Sequence, residues 1–443
     1  MRLLALFILA PFFLFSQVQI GNDIDGVAAG DQSGNVSISS NGNIVAIGGP
    51  NNDDAGEDAG HVRVFENIHG VWTQIGNAIN GDAAGDHFGS SVSLSADGSI
   101  LAIGAPLNDN AGTDSGNISV YENISGTWTQ FGSVINGDAA GDNFGTNVSL
   151  SNNGLKIVIG SYYSARILEN ISGNWIQLGS DFYGYFFAFS GDGLTISVTY
   201  GYWDNFVFEW VNVMVVYRFV EGNWNQDFDS ISSSSYIRSN LSDDGTIMAV
   251  TSVYGGYIFD ITSPVSWTQI DNTIMSYGNN IEISSNCSIV AIGGSDTPED
   301  QVQIFYNNDN NWTQIGSDID GDNIGNSLSL SGDGSTIAIG APFNDDNGTD
   351  AGQVRVYDLS ALLSVEESSL LSVKLYPNPT TNRFTIELPL GQTLEKANIY
   401  NDIGQFIQTS QKNIIDTSKL SSGLYFVEVV TTQGKATKKL VIK

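Results

Sequence analysis

Cysteine is almost missing from this 443-residue sequence: Cys287 stands alone, which excludes disulfide scaffolds and thiolate-rich metal sites. Histidine is nearly as scarce. His61, His69 and His87 fit no metal or catalytic histidine motif, so each reads as a solvated loop residue. Basic side chains are few as well, 16 Lys and Arg against 48 Asp and Glu, for a formal net charge of -32. A surface this acidic repels phosphate backbones and argues against a nucleic-acid reader. No nucleophile elbow, phosphate loop or internal run long enough for a transmembrane helix is found, and 50 glycines argue against a helical chain.

What is present is apolar and aromatic material for large cores, 41% hydrophobic and 11% aromatic, with only 14% charged. Such a chain folds; it is not an acidic disordered tail. Residues 1–16, MRLLALFILAPFFLFS, place one arginine before a short apolar run and a small residue, the layout of a secretory signal peptide. With no cysteine near the cleavage point, a lipoprotein anchor is excluded. The expectation is signal-peptide export to the periplasm and a final place that is secreted or on the outer cell surface.

Internal repetition dominates residues 17–359. Trp72-Thr73-Gln74-Ile75-Gly76 recurs at Trp128, Trp175, Trp267 and Trp312, with a weaker copy at Trp224, at spacings of 56, 47, 49, 43 and 45 residues. A second marker is a tight turn between apolar alternations: Asn41-Gly42, Asp97-Gly98, Asn153-Gly154, Asp192-Gly193, Asp244-Gly245, Asn286-Cys287 and Asp333-Gly334. Six of these seven are the pairs that a two-residue type I′ hairpin wants. In unit two, Ser91–Ser95, Ser99–Pro106, Asn117–Asn123 and Thr127–Ile135 read as four strands. Seven four-stranded units with this period predict a seven-bladed β-propeller. The last unit stops after its third strand, and Val18-Gln19-Ile20-Gly21 matches the missing fourth, so the N-terminal strand is expected to close the ring.

The acids gather in loops that antiparallel blades place on one face. Between second and third strands stand Asn52-Asp53-Asp54 with Asp58, Asn108-Asp109 with Asp114, and Asn344-Asp345-Asp346 with Asp350, each around a glycine. The loops between blades add Asp82, Asp86, Asp138, Asp142, Asp320 and Asp322. Oxygen-rich loops curling around a glycine suit calcium, which takes six to eight oxygen ligands. The same residues also cap turns through side-chain to backbone bonds, and spacing alone does not separate the two.

Phe88-Gly89 and Phe144-Gly145, together with Gly104-Ala105-Pro106 and Gly340-Ala341-Pro342, resemble FG-GAP repeats, the blades of the integrin alpha-subunit propeller. The likeness is good for units one, two, three and seven; unit four reads Tyr200-Gly201-Tyr202-Trp203 where Gly-Ala-Pro would stand. The resemblance implies an adhesion or ligand-binding propeller, some of whose loops hold calcium through Asp-x-Asp-x-Asp-Gly. This sequence has Asn-Asp-x-x-Gly-x-Asp instead, and in a different loop. Tyr162, Tyr163, Tyr183, Tyr185, Phe186, Tyr200, Tyr202, Trp203, Phe206 and Trp210 crowd the region read as blades four and five. They suit a sugar-stacking platform if exposed, but strand alternation favours reading them as core.

Past Tyr357 the charge changes sign. Residues 1–359 hold 7 basic and 41 acidic residues, and residues 360–443 hold 9 and 7. This predicts a linker at 360–372 and a separate module at 373–443. Leu375-Tyr376-Pro377-Asn378-Pro379, Ile399-Tyr400-Asn401-Asp402-Ile403-Gly404, Leu420-Ser421-Ser422-Gly423-Leu424-Tyr425 and Lys439-Leu440-Val441-Ile442-Lys443 resemble the type A C-terminal sorting domain of the type IX secretion system. That implies a small Ig-like β-sandwich whose partner is the type IX secretion machinery. The chain as a whole is expected to be all-β, a binding or adhesion propeller with an extracellular glycan or protein ligand and no catalysis. The alternative is a polysaccharide hydrolase or lyase using carboxylates at the propeller mouth.

Overall fold

The computed structural model describes residues 17–443 apart from 205–208, 253–254, 271–272, 275, 277, 295–299, 309–310, 364–372, 389–392, 402–404 and 432–433. The expected signal peptide, most of the expected linker and Phe206 therefore lie outside the described residues. The chain divides into two compact units, one running from Ser16 to Leu359 and one holding Ser360–Lys443.

The first unit is a seven-bladed propeller. Its described strands form seven antiparallel sheets, each built in sequence order from an inner first strand to an outer fourth. The seventh sheet is completed from the other end of the chain: Val18 pairs with Asp358 and Gln19 with Tyr357. The N-terminal strand thus covers what would be the open edge of the last blade. Second strands such as Ile100–Ala105 are buried along their whole length, because they are packed on both faces between neighbouring blades.

Two expectations about local geometry change. The outer strand is broken in two, so unit two has Thr127–Gln130 and Ile135–Asn136, both paired with Asn117–Ile124. The break falls at Gly132, where the next blade needs room: a Cβ there would stand 2.9 Å from Trp175 Nε1. The tight turns are also not type I′. Gly98 has φ 72 while Asp97 does not enter the left-handed region, and Gly98 N donates to Ser95 O at 2.8 Å. This is a four-residue connection with glycine at the last turn position. Asp97 Oδ1 fastens it by accepting from Ser95 Oγ at 2.7 Å and Ser99 N at 2.9 Å.

The repeated Trp-Thr-Gln-Ile-Gly phrase is a blade-to-blade clasp. Trp72 Nε1 donates to Ile20 O at 2.8 Å, Trp128 to Ile75 O at 3.2 Å, Trp175 to Phe131 O at 3.2 Å and Trp224 to Leu178 O at 2.9 Å. Each tryptophan caps the outer strand of the preceding blade, and the glycine ending that blade's phrase leaves space for the indole. Buried tryptophan wants such a partner for its N–H.

The second unit is all-β too. Lys374–Tyr376, Arg383–Glu387 and Ile414–Asp416 form one sheet; Phe406–Ser410, Leu394–Asn401, Gly423–Thr431 and Gly434–Ile442 form another. Phe384, Ile399, Val427, Val429 and Leu440 share one buried cluster, which makes this a two-sheet module with its own core.

Candidate functional site

The acidic loops lie where the topology puts them. Loops between second and third strands bond to the following inter-blade loop: Gly85 N donates to Glu57 O, Gly141 N to Thr113 O and Gly30 N to Thr349 O, at 2.8 to 2.9 Å. Their carboxylates and amides are engaged locally. Asp53, Asp109 and Asp345 each accept, through Oδ1, the backbone N–H of Asp58, Asp114 and Asp350 at 2.8 Å. Those three acceptance points hold residues with φ of 52, 53 and 51°, a left-handed conformation that aspartate tolerates. Asn52, Asn108 and Asn344 accept from Asp54, Asn110 and Asp346 in the same way. Asn108 Nδ2 also donates to Asp86 Oδ2 at 2.7 Å, and Asp346 lies 4.0 Å from Arg355.

One oxygen of each of Asp53, Asp109, Asp345, Asn52, Asn108 and Asn344 accepts a backbone N–H, and among the described residues no three His, Cys, Asp or Glu side chains converge as a cation site. The residues Asp53, Asp54, Asp58, Asn108, Asp109, Asp114, Asn344, Asp345, Asp346 and Asp350 share one face, and Asp53, Asn108, Asp109, Asn344 and Asp345 act there as turn caps. His61 is also unlike its expected state. It opens a third strand and is fully buried, and burial followed by the nearby Arg63 charge lowers its pKa to about 4.

The larger surprise is blade four. Where blades one, two and seven turn through an acidic loop, its second and third strands run on as Thr195–Asp204 and Glu209–Val220, a hairpin that carries Tyr200, Tyr202, Trp203 and Trp210. Trp203 pairs directly with Trp210, and Trp210 folds across Gly201, where a Cβ would meet its indole nitrogen at 2.5 Å. These rings are not core. Tyr163 is 79% exposed, Tyr183 81%, Trp203 51% and Trp210 49%. For the hairpin rings alternation misled because the strands extend beyond the blade that would have covered them, while Tyr163 and Tyr183 belong to blade three.

Between this hairpin and blade three opens a cleft of about 830 Å³, lined by Tyr163, Tyr183, Tyr200, Trp210, Asn223 and Gln226 among others. Its floor is firm. Phe182 stacks edge-on against Tyr217 at 4.9 Å and Trp224 at 5.7 Å, within the buried cluster of blades three and four. At one wall Asp181 is held by Arg166 at 2.8 Å and by Gln177 at 2.8 Å, while Arg166 also reaches Asp138 at 2.5 Å. The two aspartates hold the Arg166 guanidinium firmly charged, its pKa raised above the usual arginine value. The cleft therefore offers flat aromatic faces, amide donors and acceptors, and a carboxylate already committed to a cation.

Comparisons agree with this architecture. The fold is that of a β-propeller: the chain resembles a chain of the mitotic checkpoint complex (TM-score 0.52, 15% identity, covering 81% of this chain and 98% of that one). It also resembles the Cps50 (Swd1) β-propeller domain of Myceliophteria thermophila (TM-score 0.50, 11% identity, 76% and 99%). Residues 72–121 and 318–357 match the FG-GAP repeat, and residues 374–443 match the secretion system C-terminal sorting domain. The protein is thus a propeller with FG-GAP repeats, sorted by the type IX secretion system to the outside of the cell or its outer surface. Ulvan lyase NLR42 of Nonlabens ulvanivorans is 33% identical over 89 residues, which cover 19% of this chain and 16% of that protein.

Proposed function

We infer that the exported propeller is a polysaccharide-binding protein that takes a sugar chain into the aromatic cleft between blades three and four. The observation that carries this reading is the exposure of Tyr163, Tyr183, Tyr200 and Trp210 along one cleft with amides at its rim. Aromatic faces bury the C–H faces of sugar rings, and flanking amides read hydroxyl groups. Contiguous exposed apolar surface of this kind on a secreted protein marks an interaction site. The short likeness to an ulvan lyase supports an association with polysaccharide. Binding rather than catalysis is favoured because Asp181, the carboxylate in the cleft, is tied to Arg166 and Gln177 and is not set up as a general acid.

Affinity electrophoresis of the purified protein in gels containing algal and plant polysaccharides tests this. One or more polymers should retard the protein, and Tyr183→Ala combined with Trp210→Ala should weaken retardation at least tenfold while circular dichroism is unchanged. Retardation that survives the double substitution, or release of new chain ends during incubation, overturns it.

A further inference from the structure

The axial cavity of the ring has a regular lining that breaks in one place. Register puts one residue of each first strand in equivalent position, opposite a small residue of the second strand. Ser37, Ser93, Ser149 and Ser329 take this place in blades one, two, three and seven, facing Ala46, Ala102, Val158 and Ala338. The hydroxyls tie neighbouring blades together: Ser37 Oγ accepts from Leu94 N at 3.0 Å, Ser93 Oγ from Leu150 N at 2.9 Å and Ser329 Oγ from Ile38 N at 3.0 Å.

In blades four, five and six the same position holds Ala188, Asn240 and Glu282, opposite Ser197, Ala249 and Ala291. Two residues earlier, where blades three and six have Asn147 and Asn280, blades four and five have Phe186 and Arg238. The substitutions are mutually supported. Asn240 Nδ2 donates to Glu282 Oε1 at 3.0 Å; the Arg238 guanidinium lies 4.4 Å from the Phe186 ring centre and donates to Asn280 Oδ1 at 2.9 Å. All of these side chains line one cavity of about 350 Å³ on the ring axis. A ring that needed only to close would keep its small hydroxyls. Here one sector supplies a stacked guanidinium, an amide and a carboxyl group on adjacent blades.

We propose that the axial cavity binds a monosaccharide-sized hydroxy acid, with Arg238 taking its carboxylate and Asn240, Glu282 and the serine ring taking its hydroxyls. The Arg238 guanidinium, held over the Phe186 ring, presents a planar fork that matches carboxylate geometry, which a lysine would not. The volume admits one sugar ring and not a chain. Burial pushes the Glu282 pKa up to about 8, so near neutral pH this group donates a hydrogen bond and adds no charge to repel an anion. The site is separate from the aromatic cleft and stands or falls without it.

Calorimetric titration of the purified protein with D-glucuronate, its methyl ester and D-glucose tests the assignment. Glucuronate should bind saturably and at least tenfold tighter than the ester or glucose, and Arg238→Gln should abolish that preference. The ester comparison needs no substitution, so it decides even if the variant misfolds. Equal affinities for the three sugars, no saturable heat with any of them, or undiminished preference in a folded Arg238→Gln protein overturns the proposal.

Discussion

Gly104 in the second strand of blade two lies so close to Gly145 at the start of blade three that a Cβ on Gly104 would stand 2.1 Å from the Gly145 carbonyl oxygen. Gly48 meets Gly89 and Gly340 meets Gly34 in the same way, at 2.0 and 1.8 Å. The Phe-Gly and Gly-Ala-Pro phrases are therefore two sides of one seam between blades. Gly104→Ala forces backbone apart and should cost about 3 kcal/mol, at the upper end of overpacking effects. Gly126→Ala, in a turn with open space around it but φ 86, should cost about 1 kcal/mol from backbone strain alone. Urea unfolding of both variants checks the order; equal losses would mean that the seam is not tight.

Ring closure rests on two short strands, Val18–Gln19 and Ile24–Asp25, both paired with Gln353–Asp358, and on the Trp72 to Ile20 bond. Trp72→Phe keeps the ring packing but leaves the Ile20 carbonyl without its indole donor, a loss of about 1 kcal/mol. Deleting residues 17–25 exposes the edge of Gln353–Asp358 and should lower the melting temperature far more, with concentration-dependent association through the open edge. Scanning calorimetry and light scattering read the two effects.

Seven blades, their four-strand order and the closure by Val18 and Gln19 were legible in the sequence because each blade repeats the same local chemistry. The Trp-Thr-Gln-Ile-Gly phrase and the Asp-Gly turns announce position directly. The cleft was legible only as a departure: Tyr200-Gly201-Tyr202-Trp203 stands where Gly-Ala-Pro should, and the hairpin extends instead of turning. Whether those rings were covered depended on strand length beyond the blade, which alternation does not encode. Glu282 and Asn240 left a weaker trace, a break in the run of serines at one register position, visible once the seven first strands are aligned.

Glu282 should make stability fall with rising pH. Burial raises its pKa from 4.5 to about 8, against the lowering effect of the Asn240 hydrogen bond. Between those two values the folded protein keeps a proton that the unfolded chain has released, so unfolding becomes easier as pH climbs through the window. The cost should be on the order of 3 kcal/mol above pH 8, allowing for residual hydration from the axial cavity. Glu282→Gln should remove this slope. Melting curves at pH 5 and 8.5 should show a variant that gains on the wild type only at the higher pH; parallel losses at both would contradict the buried, protonated state.

The capping role of the acidic loops separates from an ionic one by adding and removing calcium. Asp109 Oδ1 holds the Asp114 N–H at 2.8 Å while Asp114 sits at φ 53. Asp109→Ala deletes that acceptor and leaves the left-handed residue unsupported, which should cost about 1 kcal/mol, as for loss of a comparable cap. If capping is the whole role, the loss is the same in EDTA and in millimolar calcium, and calcium gives the wild type no rise in melting temperature. An ion bound at these carboxylates would instead stabilise the wild type by mass action, with a shift that grows with concentration and disappears in the variant. Asp109→Asn sharpens the distinction, since its amide oxygen can still accept the N–H but carries no charge. It should therefore unfold close to the wild type in both buffers.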